Sequence, residues 1–285
     1  MHLKSKKLLE IHIAVFLFGL AGLFGKLLTF SPLVIVFGRV VFASIALLVL
    51  AICMGQSLRL RSIKTTMQFI VLGIILAVHW AAFFQSVQVS TVAIGLITFS
   101  TFPIFVAFME PWMSRQTLQA KDILLAVVAL CGIIILIPSF EWGNNITQGI
   151  LWGIASGFSF ALLSVLNRRY VQTHASITIA LYQDVFAGLA LLPFVWNRWP
   201  SFTSQDFFLL FILGVLCTAL AHTLFISGMK QIRARTASMI ACLEPFYGVL
   251  VGVLLLQEYP NIRTIIGGLI IVGVAFYATV ADRDS

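Results

Sequence analysis

Apolar runs of eighteen or more residues recur from one end of this 285-residue chain to the other, separated by short polar stretches. Each run is long enough to cross a hydrocarbon core of about 30 Å. A segment crossing such a core has to satisfy its own backbone hydrogen bonds, which here means α-helix. Only 10% of the residues are charged and 60% are hydrophobic, whereas a soluble domain carries about 25% charged residues to cover its surface. No stretch between the runs could build a soluble core, so residues 1–285 read as one all-α integral membrane domain.

Polar punctuation places ten spans at 10–29, 33–54, 67–88, 91–113, 122–138, 148–167, 177–196, 207–229, 235–257 and 263–280. The connections are short, so consecutive helices are expected to pack as antiparallel neighbours. With the N-terminus in the cytoplasm, all but four of the 18 Lys and Arg residues fall in inner loops; Arg198 and Arg263 lie outside, and Lys26 and Arg39 lie within spans. Cytoplasmic enrichment of basic residues sets orientation, and this distribution predicts an even number of spans with both termini cytoplasmic. The same placement accounts for the net charge of +8. The cations sit in short loops rather than along one face, so membrane lipids and not nucleic acid are the expected partner. Residues Met1 to Lys7 and the run after them imitate a signal peptide, but without a small-residue cleavage site they read as the first span.

Shifted by roughly 142 residues, spans three and four fall on spans eight and nine: His79 comes beside His222, and Pro103 falls on Pro245. The order of features thus divides the chain into two five-span halves, 1–140 and 147–285. An odd number of spans per half requires opposite insertion, and inverted repeats of this kind place a substrate site between the halves near the bilayer midplane.

Charged groups at that depth are costly and ask for a partner or a water-filled cavity. Glu244, near the middle of span nine, precedes Pro245, which removes a backbone donor and frees carbonyls of the preceding turn. Such a carboxylate either binds a substrate ammonium or a proton, or only fixes the bend. His79, followed by Trp80 and Phe83, is a candidate substrate contact, and His222 and Asp184 are secondary ones. For Lys26 and Arg39 helix bracing is the expected role. Phe83, Phe99, Phe158 and Phe225 are candidates to line an apolar cavity, and the pairs Gly153/Gly157 and Gly248/Gly252 allow close helix approach. The four cysteines lie in apolar runs without CxxC spacing, which predicts buried free thiols and neither a disulfide framework nor a metal site. The sequence contains no Walker A loop and no HExxH, so no nucleotide-driven pump, no zinc-protease chemistry and no cofactor is expected.

The segment Ala237-Ser238-Met239-Ile240-Ala241-Cys242-Leu243-Glu244-Pro245-Phe246, then Leu254-Leu255-Leu256-Gln257-Glu258 and Gly267-Gly268-Leu269-Ile270-Ile271-Val272-Gly273, resembles the second EamA half of the drug/metabolite transporter superfamily. The first half departs from the pattern: Phe102-Pro103 replaces Glu-Pro, and Gln116-Thr117 stands where a closing glutamate is expected. Within the superfamily the chain is similar to bacterial YddG-type exporters of aromatic and other neutral amino acids. The resemblance implies ten helices in two inverted repeats and a central cavity built by spans one, three, four, six, eight and nine. It also implies a multi-pass protein of the bacterial inner membrane. The missing glutamate at Phe102 puts a two-carboxylate mechanism in doubt.

The expectation is therefore a secondary transporter, not an enzyme, that exports small organic metabolites, foremost aromatic and other neutral amino acids, by alternating access. His79, Trp80, Phe83, Thr98, Phe158, Ser164 and Glu244 are the expected substrate contacts, and Pro103 and Pro245 the flexing points. Carriage of a nucleotide-linked metabolite, a purine or a cationic drug, or a receptor role without transport, are the alternatives. Oligomeric state, energy coupling and transport direction have no signature in the sequence.

Overall fold

Proline shapes the two central spans. It offers no backbone N–H and clashes with the carbonyl four residues before it, so it kinks or breaks a helix that reaches it from the N-terminal side. It is at home in the first turn of a new helix, whose N–H groups have no intrahelical partner anyway. In the computed structural model, which describes residues 2–56, 58–60, 62–114, 120–137, 143–197 and 200–280, spans four and nine are both broken in this way. Span four is α4 (Val92–Phe99) followed by α5 (Phe102–Ser114), and span nine is α11 (Ala234–Ala241) followed by α12 (Glu244–Leu256). From Val92 to Ala234 and from Phe102 to Glu244 the shift is the same 142 residues. Hydroxyls add bonds to carbonyls near the breaks: Ser100 Oγ donates to Leu96 O (2.9 Å) and Thr101 Oγ1 to Thr98 O (2.8 Å), each of which also accepts a backbone N–H, and Ser238 Oγ donates to Arg235 O (2.7 Å).

The other spans are continuous helices: α1 (His2–Leu27), α2 (Pro32–Cys53), α3 (Ile63–Val89), α6 (Ala120–Leu136), α7 (Asn145–Tyr170), α8 (Ser176–Val195) and α13 (Ile262–Val280). Span eight runs from α9 (Ser204–Gly214) through a π-helical segment, Val215–Leu220, into α10 (Ala221–Gly228). By length and composition, seven stretches of the described residues are apolar enough to cross a membrane, and three shorter apolar helices lie at 124–136, 244–256 and 262–274. Outward faces are apolar too, as Val41, Ile45, Leu48, Val49 and Ile52 on α2 illustrate. Such a belt is what contact with lipid requires. Arg61, Arg115, Arg198 and Arg283, together with Gln116 and Thr117, lie outside the described residues.

Helix packing departs from the expectation of consecutive antiparallel neighbours. The most extensive contacts run between the two halves of the chain: α3 on α7 and α8, α2 on α8, α6 on α13, and α1 on α10 and α12. By contrast, α1 and α2 scarcely touch, nor do α7 and α8. Short loops limit how far apart helix ends can lie, but burial of the flanking faces decides the partner. The cysteines also differ in part from expectation. All four are free, but only Cys217 and Cys242 are buried, while Cys53 and Cys131 are exposed on outward faces.

Glycine is needed where backbones cross. A Cβ on Gly157 would lie 2.9 Å from the carbonyl oxygen of Phe99, and one on Gly248 would lie 2.7 Å from the Gly19 carbonyl oxygen and overlap the Leu96 side chain. Backbone atoms cannot step aside as a side-chain tip can. Gly248→Ala is therefore expected to destabilise the protein by about 1–3 kcal/mol, read as a lower melting temperature in detergent. Gly273→Ala, with nothing within 4 Å of the new methyl, should melt like the parent. Equal melting of all three would contradict the α1–α12 crossing.

Candidate functional site

The breaks in spans four and nine bring two very different side chains to corresponding places. Phe102 begins α5, and Glu244 begins α12. Next to these breaks a cavity opens, lined by Phe18 and Ala21 of α1, Arg39 of α2, Leu76, His79, Trp80 and Phe83 of α3, Phe99 at the end of α4, Phe160 of α7, His222 of α10, and Glu244. It is narrow: the space open to the centre of a water molecule is about 30 Å³. A single water needs about 10–15 Å³ on this measure, and pockets for organic ligands span about 300–1,000 Å³. In this conformation the cavity holds water only, and a metabolite has to part its walls.

Four phenylalanine rings wall the space, and with Phe102 behind them they lock on one another. Phe160 meets His79, Phe99 and Phe102 at 4.8, 5.3 and 5.1 Å between ring centroids, Phe83 meets Phe99 at 5.9 Å, and Phe18 meets Phe160 at 6.4 Å. Edge and tilted ring contacts of this kind are favourable beyond their buried area.

Arg39 is the cation of the site and is 1% exposed. Its Nε donates to Thr218 Oγ1 (2.8 Å) and its Nη2 to the Cys217 carbonyl (3.2 Å). Thr218 Oγ1 in turn donates a hydrogen bond to the Leu213 carbonyl (2.7 Å). Cys217 and Thr218 belong to the π-helical segment, and such segments concentrate at functional sites. The guanidinium also lies over the Trp80 ring, 3.9 Å from its centroid. A guanidinium has five donors; these contacts leave the Nη1 edge without a hydrogen bond among the described residues.

Glu244 is 4% exposed, and among the described residues it has no hydrogen-bond partner; Oε2 is wholly enclosed. No ion pair within 4 Å joins Glu244 or Asp184 to Arg39 among the described residues, although both carboxyl groups lie within range of its charge. The two histidines differ. His79 Nδ1 faces Ser156, taking a hydrogen bond from Oγ (2.9 Å) in one tautomer and donating to the carbonyl oxygen (3.1 Å) in the other, so α3 is tied to α7. Neither nitrogen of His222 has a partner among the described residues, and its ring lies 5.8 Å from that of Trp80. Among the described residues His222 thus keeps both nitrogens unpartnered, and His79 keeps Nε2.

Of the sequence-based candidates, His79, Trp80, Phe83 and Glu244 line the cavity. Three do not. Thr98 donates to the Ile94 carbonyl in its own helix (2.6 Å) and abuts Gly153. Ser164 is buried on α7 away from the cavity walls. Phe158 is 49% exposed and stacks edge-on with Phe105 at 5.4 Å in an outward apolar groove. Phe158 and Phe160 are two residues apart, about 200° around a helix, so one faces inward and the other outward. Pro103 and Pro245 each take the second position of a half-helix, beside the breaks. Arg39, Phe18 and Phe160 had carried no substrate role. For Arg39 the available signal was its depth in an apolar span.

Two cationic side chains close off helix ends. Lys26 Nζ donates to the carbonyls of Ser90 (2.7 Å) and Gln88 (3.5 Å) and lies 3.8 Å from Glu258 Oε1, while Glu258 Oε2 accepts from the Val92 N–H (2.8 Å). Arg168 Nη1 donates to the carbonyls of Met229 (2.6 Å) and Lys230 (3.1 Å).

Comparison with known proteins agrees with a membrane carrier. A family profile described as the EamA-like transporter family matches residues 6–137 and again 147–280. An uncharacterized transporter of Archaeoglobus fulgidus is 28% identical over 67% of this chain and 68% of its own length. The S-adenosylmethionine uptake transporter of Rickettsia prowazekii is 19% identical over 88% of this chain and 84% of its own. The inner membrane transporter YicL of Salmonella typhimurium is 25% identical over 88% and 87%. A crystal structure superimposes with a TM-score of 0.70 over 98% of both chains at 18% identity, which speaks for the fold. With both halves matched and its relatives carriers rather than enzymes, this multi-pass membrane protein belongs to the EamA-like transporter family of the drug/metabolite transporter superfamily.

Proposed function

We propose that the chain is a secondary transporter of neutral amino acids, aromatic ones foremost, in the bacterial inner membrane. It would work by alternating access between two inverted five-span halves. One observation carries the substrate class: a carboxyl group without a hydrogen-bond partner and a guanidinium with a free edge line the same ring-walled cavity. An α-ammonium group would pair with Glu244, an α-carboxylate with Arg39 Nη1, and an apolar side chain would take the space between Phe18, Phe83 and Phe160. Charge-assisted hydrogen bonds at both ends of a zwitterion discriminate it from neutral solutes. A phosphorylated substrate would call for a cluster of cations, and Arg39 is the cation that lines this cavity.

Ten spans follow if the three shorter apolar helices also cross, which restores five per half. The packing supports opposed halves, because contacts come in matching pairs: α3 on α7 with α10 on α1, α5 on α7 with α12 on α1, and α4 on α12 with α11 on α5. The clamps match as well. The shift from Lys26 to Arg168 is again 142 residues, as is that from Gln88 to Lys230, whose carbonyls they hold. In an inverted pair these clamps lie at opposite membrane faces and close the two entrances, with both termini cytoplasmic. Pro103 and Pro245 would let the half-helices tilt beside the cavity, since a break leaves fewer backbone bonds to bend.

A second reading follows from the Rickettsia relatives. Their name, S-adenosylmethionine uptake transporter, describes an amino acid with a sulfonium and an adenine, and such a cation would suit aromatic walls. A carrier is reversible: export is the direction implied by the YddG-type resemblance, and uptake is that for which these relatives are named.

Counterflow in proteoliposomes tests the substrate class. Labelled L-phenylalanine should exchange against unlabelled neutral amino acids, and Glu244→Gln should raise the half-saturating concentration by about 10–100-fold, as expected for losing a charged hydrogen bond. No flux of any neutral amino acid, or competition by S-adenosylmethionine alone, would reject it. The clamps give a separate expectation. In a cysteine-free background carrying Phe18→Cys, a water-soluble maleimide should react faster from the Lys26 side once Glu258→Gln is added, and faster from the opposite side with Arg168→Met. Unchanged rates in both would contradict two opposed gates.

A further inference from the structure

Asp184 lies outside the cavity lining, yet it is 0% exposed in the middle of α8, and neither carboxyl oxygen has a hydrogen-bond partner among the described residues. Of the elements packed on α8, α2 carries Arg39, α3 carries His79 and α10 carries His222, and of these three it is the Arg39 charge that acts on Asp184. The same guanidinium is under the influence of Glu244 from the cavity side. An ionised carboxyl group in such a setting is costly unless a counter-charge or a proton compensates.

We propose that Asp184 is a reversible proton-binding site, coupled to the substrate cavity through Arg39; this rests on the amino-acid reading above. With Asp184 protonated, the free edge of Arg39 is available to a substrate carboxylate. When the proton leaves, the carboxylate that remains competes for the same guanidinium and the substrate's hold weakens. Substrate and proton therefore load together: one O–H bond forms on Asp184 as one zwitterion binds, and both are released together.

The test uses the full chain in proteoliposomes, with labelled L-phenylalanine as probe and the membrane potential clamped at zero with potassium and valinomycin. A gradient of one pH unit should drive accumulation of about tenfold into the alkaline compartment, the ratio for one proton per substrate. Asp184→Asn, which keeps shape and removes the proton site, should retain counterflow but accumulate nothing, and Asp184→Glu should restore the pH response. A pH-driven accumulation that survives Asp184→Asn overturns the proposal, as does loss of counterflow in Asp184→Asn, or accumulation driven by a sodium gradient at constant pH. Absence of counterflow in the parent protein overturns the amino-acid reading itself, and this coupling with it.

Discussion

Much of this structure is organised around one buried cation. A guanidinium in a bilayer interior is costly on its own, and Arg39 is 1% exposed. Two kinds of contact compensate it. The Trp80 face lies 3.9 Å away, and Thr218 and the Cys217 carbonyl accept hydrogen bonds. Each contact comes from a different helix, so Arg39 holds α2, α3 and the π-helical segment of span eight in one layer. Within that segment Thr218 faces Arg39 while its hydroxyl reaches the Leu213 carbonyl five residues back. A uniform α-helix would use the carbonyl four residues back for its ladder.

The cavity exists because two helices stop beside this layer. Hydroxyls of Ser100, Thr101 and Ser238 add hydrogen bonds to carbonyls near the breaks at Phe102 and Glu244. The two breaks share a position in the fold but not a chemistry. The first half presents phenylalanine, stacked at 5.0 Å on Phe99, and the second presents a carboxylate. Two matching breaks thus flank an asymmetrical site, with an apolar wall on one side and an acid on the other. Histidine repeats the pattern. His79 is tied to Ser156, whereas 142 residues before Ser156 the chain has Ala14, which offers no side-chain hydrogen bond, and His222 is left unpartnered.

The helices were legible, most of their ends to within a few residues, although α1 begins at His2, eight residues before the expected span. Apolar runs with polar ends are the strongest signal a helix can leave, and all ten expected spans coincide with helices or broken helices. The site was legible only where a residue type is rare in its setting. Glu244 and His79 stood out because acids and imidazoles are scarce in apolar runs, and both line the cavity. Thr98, Ser164 and Phe158 did not stand out in that way: threonine and serine bond readily to their own helix, and which ring of Phe158 and Phe160 faces inward depends on the rotation of α7. Helix neighbours were misjudged for a related reason. Loop length is visible in a sequence, but the complementarity of two faces from opposite halves is not.

The most direct test of the account is the position of a bound amino acid. A crystal structure with 4-bromo-L-phenylalanine would locate the bromine by anomalous scattering and the backbone end by density. The account predicts the bromine among Phe18, Phe83 and Phe160, the ammonium group against Glu244, and the carboxylate against Arg39 Nη1. Bromine in an outward groove, or a ligand bound with both carboxyl and ammonium groups remote from Glu244 and Arg39, would contradict it.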